Sequence, residues 1–245
     1  MKLQSTFCHS DPGGRAENED AYAVSCQPRH LVMTVADGLG GQGDGAAASR
    51  LAVRQLCTCG SDGLLPDEAQ LLQAFEEANA AILKEQRNSR HMKTTAVYLC
   101  VSEDKAIWGH IGDSRLYHFF NGKMVEYTLD HSVSQMAVLL GDITHEQIPG
   151  HPDRSRLLRA LGCEQIEPSI RHTVHLEPGL HAFLLCTDGF WEYVPEALME
   201  ETLAQGQDAE AWGEAMCAYL ETHCRPGHDN CTALAACIEV EQKGW

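Results

Sequence analysis

The stretch from Thr95 to Tyr127, TAVYLCVSEDKAIWGHIGDSRLYHFFNGKMVEY, decides the fold class. Its apolar runs Thr95–Val101, Ala106–Ile111 and Arg115–Phe120 are short and rich in β-branched and aromatic residues. Only a few polar residues separate them, so no helix intervenes and neighbouring strands are expected to pair antiparallel. Asn121-Gly122 is the clearest reversal, because both residues tolerate the positive φ of a two-residue hairpin; it predicts a further strand over Lys123–Tyr127. Similar runs lie at Tyr22–Cys26, Leu31–Ala36, Ile170–Val174, Ala182–Cys186 and Thr232–Val240.

Helical signals fall between these runs. Asp67 with Gln70 forms a capping-box pattern, followed by Leu71, Leu72, Phe75, Ala78, Asn79 and Ile82 on one predicted face. A second helix is expected from near Asp208, with Trp212, Ala215, Met216, Tyr219 and Leu220 at helical spacing, and a third over the alanine-rich Gly45–Leu56. Strands in runs with helices grouped between them predict an α+β architecture of packed sheets covered by helices. The polar stretch His145–Ser155, with Pro149-Gly150 and Pro152, reads as an exposed loop or flap. Linkers are scarce, and residues 1–245 read as a single domain.

With 44% hydrophobic residues, the chain can bury a substantial core. A net charge of −17 opposes binding to nucleic acid or an anionic membrane surface. No apolar run approaches a membrane span, and the Met1–Ser5 start lacks a signal-peptide core, so a cytoplasmic protein is expected. The 11 cysteines are odd in number and scattered, with Cys100, Cys186 and Cys237 inside apolar runs, which suits reduced thiols. Cys57-Thr58-Cys59 and His223-Cys224 with His228 have zinc-like spacing but no second pair to complete a site.

Three aspartates stand in their own short signatures: Asp37 in Val35-Ala36-Asp37-Gly38, Asp188 in Cys186-Thr187-Asp188-Gly189, and Asp229 in Gly227-His228-Asp229-Asn230. The first two follow an apolar run and precede glycine, which puts a carboxylate where a strand ends. Carboxylates so placed are the hard oxygen ligands that Mg²⁺ and Mn²⁺ prefer, and two such ions can activate a water and clamp a phosphoryl group. A metal-dependent hydrolase is the first reading.

Around these aspartates the motifs run in order: Arg15-Ala16-Glu17-Asn18-Glu19-Asp20, Asp37-Gly38-Leu39-Gly40-Gly41, Thr94-Thr95 and Gly112-Asp113-Ser114-Arg115. Asp130-His131-Ser132, Arg159-Ala160-Leu161-Gly162, Thr187-Asp188-Gly189 and Asp229-Asn230 follow. Order and wording closely resemble the metal-dependent protein phosphatases (the PPM, or type 2C, family) in their compact bacterial form, over about residues 10 to 240.

The resemblance implies a β-sandwich of two antiparallel sheets flanked by helices on both sides, with a site for two Mn²⁺ or Mg²⁺ ions at one edge. It matches Asp37 to the bridging carboxylate and Gly38 to a backbone carbonyl ligand. Asp188 and Asp229 match ligands of the other ion, and Asp113 the ligand of a third, weaker one. Glu19 and Asp20 match acidic residues that hold waters on the ions, Asp20 from further back. Arg15 matches the residue that binds the substrate phosphate, as a planar guanidinium suits two phosphoryl oxygens. The implied activity is hydrolysis of phosphoserine and phosphothreonine in proteins by a bridging hydroxide, opposing a bacterial Ser/Thr kinase, in a monomer.

Departures from the family pattern are Leu39 where some relatives carry a histidine, Gln42, Ala46, and Lys93 where a glycine usually precedes the paired threonines. His131 is expected to be structural and His151 to belong to the flap. A pseudophosphatase binding module and a metallohydrolase of small phosphate esters are the alternatives. A cysteine phosphatase is not expected, since no Cys-x5-Arg loop follows a strand and the nearest match, Cys8 to Arg15, is one residue too long.

Overall fold

The computed structural model describes residues 1–40, 44–86, 91–206 and 208–242; Gly41 and Gln42 lie outside them. Every strand run read from the sequence is a strand, and all the ladders are antiparallel. One five-stranded sheet has the order β1 (Lys2–Asp11), β12 (Cys231–Val240), β11 (Gly179–Cys186), β8 (Arg115–Phe120), β9 (Lys123–Tyr127). The other runs β10 (Ser169–His175), β7 (Lys105–Ile111), β6 (Ala96–Ser102), β3 (His30–Ala36), β2 (Ala21–Gln27). A two-stranded ribbon joins β4 (Gly38–Leu39) to β5 (Lys93–Thr94).

The deciding stretch therefore divides between the sheets. β6 and β7 pair in one, β8 and β9 in the other, and Gly112–Ser114 carries the chain across the sandwich. The Asn121-Gly122 turn forms as expected, with φ of +48° and +80°.

Period-two alternation explains why both faces of the inner strands are apolar. Leu31, Met33 and Val35 of β3, Val97, Leu99 and Val101 of β6, Phe183 and Leu185 of β11, and Leu234, Ala236 and Ile238 of β12 fill the space between the sheets. Their alternates Val32, Tyr98 and Cys100 face α1 (Asp44–Leu56) and α2 (Glu68–Gln86), which supply Ala52, Leu56, Leu71 and Phe75. On the other side Leu184, Cys186, Ala233 and Ala235 face α5 (Glu196–Gln205) and α6 (Ala209–His223), with Met199, Trp212 and Met216. The result is the four-layer αββα arrangement expected from the resemblance.

Details differ from the sequence reading. The Asp67–Gln70 capping box forms, both bonds at 2.8 Å, but Leu72 is exposed because it sits about 100° round the helix from Leu71. Ala215 is likewise exposed on α6. Elements the residues do not predict are β1, the short ribbon strands β4 and β5, α3 (Val133–Leu140) and α5, along with the single turn α4 (Asp188–Trp191). The His145–Ser155 flap contains a 3₁₀ turn, His145–Gly150, anchored by the fully buried Ile148.

Candidate active site

Strand ends place the carboxylates. Asp37 follows β3, Asp188 stands two residues past β11, Asp229 two residues before β12, and Asp113 in the crossover from β7 to β8. They converge at one end of the sandwich on a cavity of about 560 Å³, whose walls include Arg15, Glu19, Asp37, Gly38, Asp113, Asp188 and Asp229. Asp20 is not in the wall; its Oδ2 accepts a 2.9 Å hydrogen bond from Thr187 behind it.

Local packing fixes each group. The paired threonines hold the main chain at Asp37: Thr94 Oγ1 donates to the Asp37 carbonyl (2.7 Å), and Asp37 N donates to Thr95 Oγ1 (2.9 Å). Thr95 Oγ1 also meets Ser114 Oγ at 2.6 Å, tying the Asp37 loop to the Asp113 turn. Gly38 packs against Gly45 so closely that a Cβ on Gly38 would lie 2.3 Å from the Gly45 carbonyl, so only glycine fits there. That contact brings the start of α1 against Glu19, whose Oε1 would lie 2.8 Å from a Cβ on Gly45.

At the mouth, Arg15 Nη2 donates to Asp229 Oδ2 at 2.8 Å, and both side chains are about half exposed (56% and 46%). The flap segment contributes Ser155 and Leu157 to the cavity wall and is pinned by Arg154 Nε donating to Glu192 at 2.5 Å.

Too many negative charges share this space. Burial, then the charges of Asp188, Asp20, Asp113 and Asp229, push Asp37 well above the usual carboxylate range. Burial and the charges of Asp113, Glu192, Asp229 and Asp20 do the same to Asp188. Burial and Asp130 raise Asp113 to about 7, and burial raises Asp20 to about 6. Asp188 Oδ1 and Asp20 Oδ1 are buried with no hydrogen-bond partner among the described residues. Unpartnered, mutually repelling carboxylates are what a hard divalent cation satisfies, so the donor set fits Mg²⁺ or Mn²⁺. Among the described residues no three His, Cys, Asp or Glu side chains are already closed around one point. Such closure is not required of ions that keep several waters.

Sequence reasoning assigned no task to Asn230, Trp191 or Asp130. Asn230 accepts from Glu19 N (2.8 Å) and donates to the carbonyls of Pro12 (2.9 Å) and Glu17 (3.0 Å), stapling the Arg15 loop beside Asp229. Trp191, on the turn begun by Asp188, donates from Nε1 to the Asp113 carbonyl (2.9 Å). The Asp130-His131-Ser132 motif divides three ways. Asp130 grips Arg115 at 2.7 and 2.8 Å, Gly112 N donates to His131 Nδ1 (3.2 Å), and Ser132 Oγ accepts from Gln135 N to cap α3. His131 thus braces the Asp113 turn, and neither it nor His151 lines the cavity. The motif spelling was the available signal for these residues, though not for their partners.

A family profile described as protein phosphatase 2C matches residues 13–230. Serine/threonine phosphatase stp of Listeria innocua is 31% identical over 244 residues, spanning 96% of this chain and 92% of that protein. The catalytic domain of the serine/threonine protein phosphatase PstP, in complex with two manganese ions, superposes with a TM-score of 0.81 at 28% identity, covering 98% of this chain and 99% of that one. PppA of Pseudomonas aeruginosa, described as a key regulatory component of T6SS, gives 0.78 at 30% identity, covering 96% and 97%. The chain belongs to the protein phosphatase 2C family.

Proposed function

We propose that this protein is a metal-dependent serine/threonine protein phosphatase. The observation that carries the reading is the set of strand-end carboxylates, Asp37, Asp113, Asp188 and Asp229, crowded into one cavity with Arg15 at its mouth. Asp37, the Gly38 carbonyl, Asp188 and Asp229 would hold two Mn²⁺ or Mg²⁺ ions, with Asp113 toward a third; the manganese of the PstP complex supports the choice of metal. When bound, divalent cations supply Lewis acidity that lowers the pKa of water and offset the charge of a phosphoryl group.

The chain's own residues do the rest. Glu19, in the cavity wall beside the start of α1, is an acceptor that orients water there, and Asp20, outside the wall and held by Thr187, acts from behind it. Arg15 binds two phosphoryl oxygens, exchanging its contact with Asp229 for the substrate. Asn230 keeps that guanidinium in register with the cavity. Among the described residues no histidine lines the wall, so the proton for the leaving serine or threonine oxygen comes from water in the site or from another residue.

The substrates are phosphorylated proteins, opposed to a bacterial Ser/Thr kinase, and residues 1–245 act as a single domain and a monomer in the cytoplasm. Among the described residues no helix is long and apolar enough to cross a membrane. Retention of Asp37, Asp188 and Asp229 argues against a pseudophosphatase. The test is hydrolysis of p-nitrophenyl phosphate and a phosphothreonine peptide with EDTA, Mg²⁺ or Mn²⁺, for the wild type and Asp229→Asn. Metal-dependent turnover lost in the variant is expected. Folded protein inert with every metal would favour the binding module, and turnover of the small ester alone would favour the small-ester hydrolase.

A further inference from the structure

The cations around the cavity are nearly all engaged. Arg15 pairs with Asp229, Arg154 with Glu192, Arg156 with Asp153 and Arg159 with Glu167. Lys93 and Arg225 are the exceptions: both side chains are exposed and make no ion pair with a described residue, and of the two it is Lys93 that stands on the ribbon next to the cavity-lining Leu39. That is unusual beside a cavity whose walls carry Glu17, Glu19 and four aspartates.

The ribbon register says where this ammonium stands. In the β4–β5 ladder Thr94 is opposite Gly38 and Lys93 opposite Leu39. Directly opposed residues of an antiparallel pair share a face, and successive residues take opposite faces. Thr94 is buried and turned in to the Asp37 carbonyl, which leaves Lys93 on the outer face with Leu39. Leu39 and its neighbour Gly40 belong to the cavity wall. The flexible four-carbon stem of Lys93 therefore starts one strand away from the lip, with its charge free.

A phosphoresidue seated in the cavity leads its flanking residues out over this lip. We propose that Lys93 is a specificity residue that recognises an anionic group flanking the phosphoresidue of a phosphopeptide. The inference rests on the phosphatase reading above. A carboxylate and a second phosphate share the required chemistry. With Arg15 taken up by the phosphoryl group itself, either would otherwise face the acidic wall of a chain of net charge −17, so a free cation at the lip sets the selectivity.

The test uses the full chain with Mn²⁺ and three phosphothreonine peptides differing only at the residues flanking the phosphothreonine: neutral, glutamate-bearing, or carrying a second phosphothreonine. The readout is the ratio of kcat/KM for each anionic peptide over the neutral one. Wild type is expected to show a ratio of about 3 to 10, through KM, that shrinks at high salt as screening requires. Lys93→Gln is expected to bring the ratio to about 1, and Lys93→Arg to restore it, which a merely structural role would not do. The more favoured anionic peptide names the source of the charge. A wild-type ratio of 1, or a preference that survives in Lys93→Gln, overturns the inference while leaving the phosphatase reading standing. Folded protein that hydrolyses no phosphopeptide overturns both.

Discussion

Two clusters of buried charge lie side by side at this end of the sandwich, and they are built on opposite principles. In one, Arg115 and Asp130 form a two-bond ion pair with side chains 3% and 1% exposed. The Arg115 guanidinium also reaches Tyr117 Oη (3.1 Å) and lies 3.6 Å above the Trp191 ring. In the other, Asp37, Asp188, Asp113 and Asp20 crowd together with raised pKa values, and one buried oxygen each of Asp188 and Asp20 is left without a partner among the described residues. The paired cluster holds the walls in place, and the unpaired one is kept ready for cations. Trp191 joins them, contacting Arg115 through its ring and the Asp113 carbonyl through its N–H.

The sharpest break of this comparison removes charge from each cluster in turn. Asp37→Asn and Asp188→Asn are expected to lower metal-dependent turnover by about 10³-fold or more, the scale of several kcal/mol of lost charge stabilisation. Their Tm in EDTA should hold or rise, because a repelling carboxylate is gone. A large fall in Tm for either would place that residue in the architecture instead. Asp130→Ala should do the reverse, costing about 3–5 kcal/mol in denaturant unfolding by stranding a buried guanidinium.

Next in size is the pH dependence. An aspartate whose folded pKa is raised binds more protons folded than unfolded, so its contribution to stability falls as pH climbs from the unfolded value through the folded one. For Asp113 that window is about 4 to 7. His118, lowered to about 3 by burial and by His181, acts with the opposite sign below its ordinary value of 6.5. The two effects separate in paired melts: Mn²⁺ should raise Tm over EDTA by an amount that grows between pH 5 and 7.5, because protons and cations compete for the same oxygens. A constant difference would mean the carboxylates do not take up the metal. The smallest expected effect is that of Arg15→Ala. Loss of a charged contact to phosphate should raise KM about tenfold with less change in kcat and almost none in Tm, since the half-exposed pair with Asp229 contributes about 0–1 kcal/mol.

Much of this was legible in the residues. The strands announced themselves because both faces of an inner strand are apolar and each run is bounded by turn residues. β1 was missed for the complementary reason: Lys2–Asp11 is an edge strand with mostly exposed or half-exposed positions, so it carries no apolar run. α3 escaped because its Val133–Leu140 run is apolar but largely uncovered, with Leu139 and Leu140 at 63% and 73% exposure, and so lacks a helical stripe. Of the eight site residues expected, seven line the cavity, and Asp20 stands behind it.

The residues alone tell which chemical groups are present and on what kind of element. They set Asp37 and Asp188 at strand ends, a guanidinium ahead of the first acidic pair, and strands expected to pair antiparallel. Those are local properties, written in spacing and in residues that tolerate a turn. Which groups meet depends on the packed fold. Arg15 reaches Asp229 across 214 residues, Asn230 closes the loop of Glu19 across 211, and Thr187 supports Asp20 across 167. The sum of such long-range contacts also decided that one cluster of charges is satisfied and its neighbour is not. Burial and partnership depend on the whole packed molecule, and no window of sequence contains them.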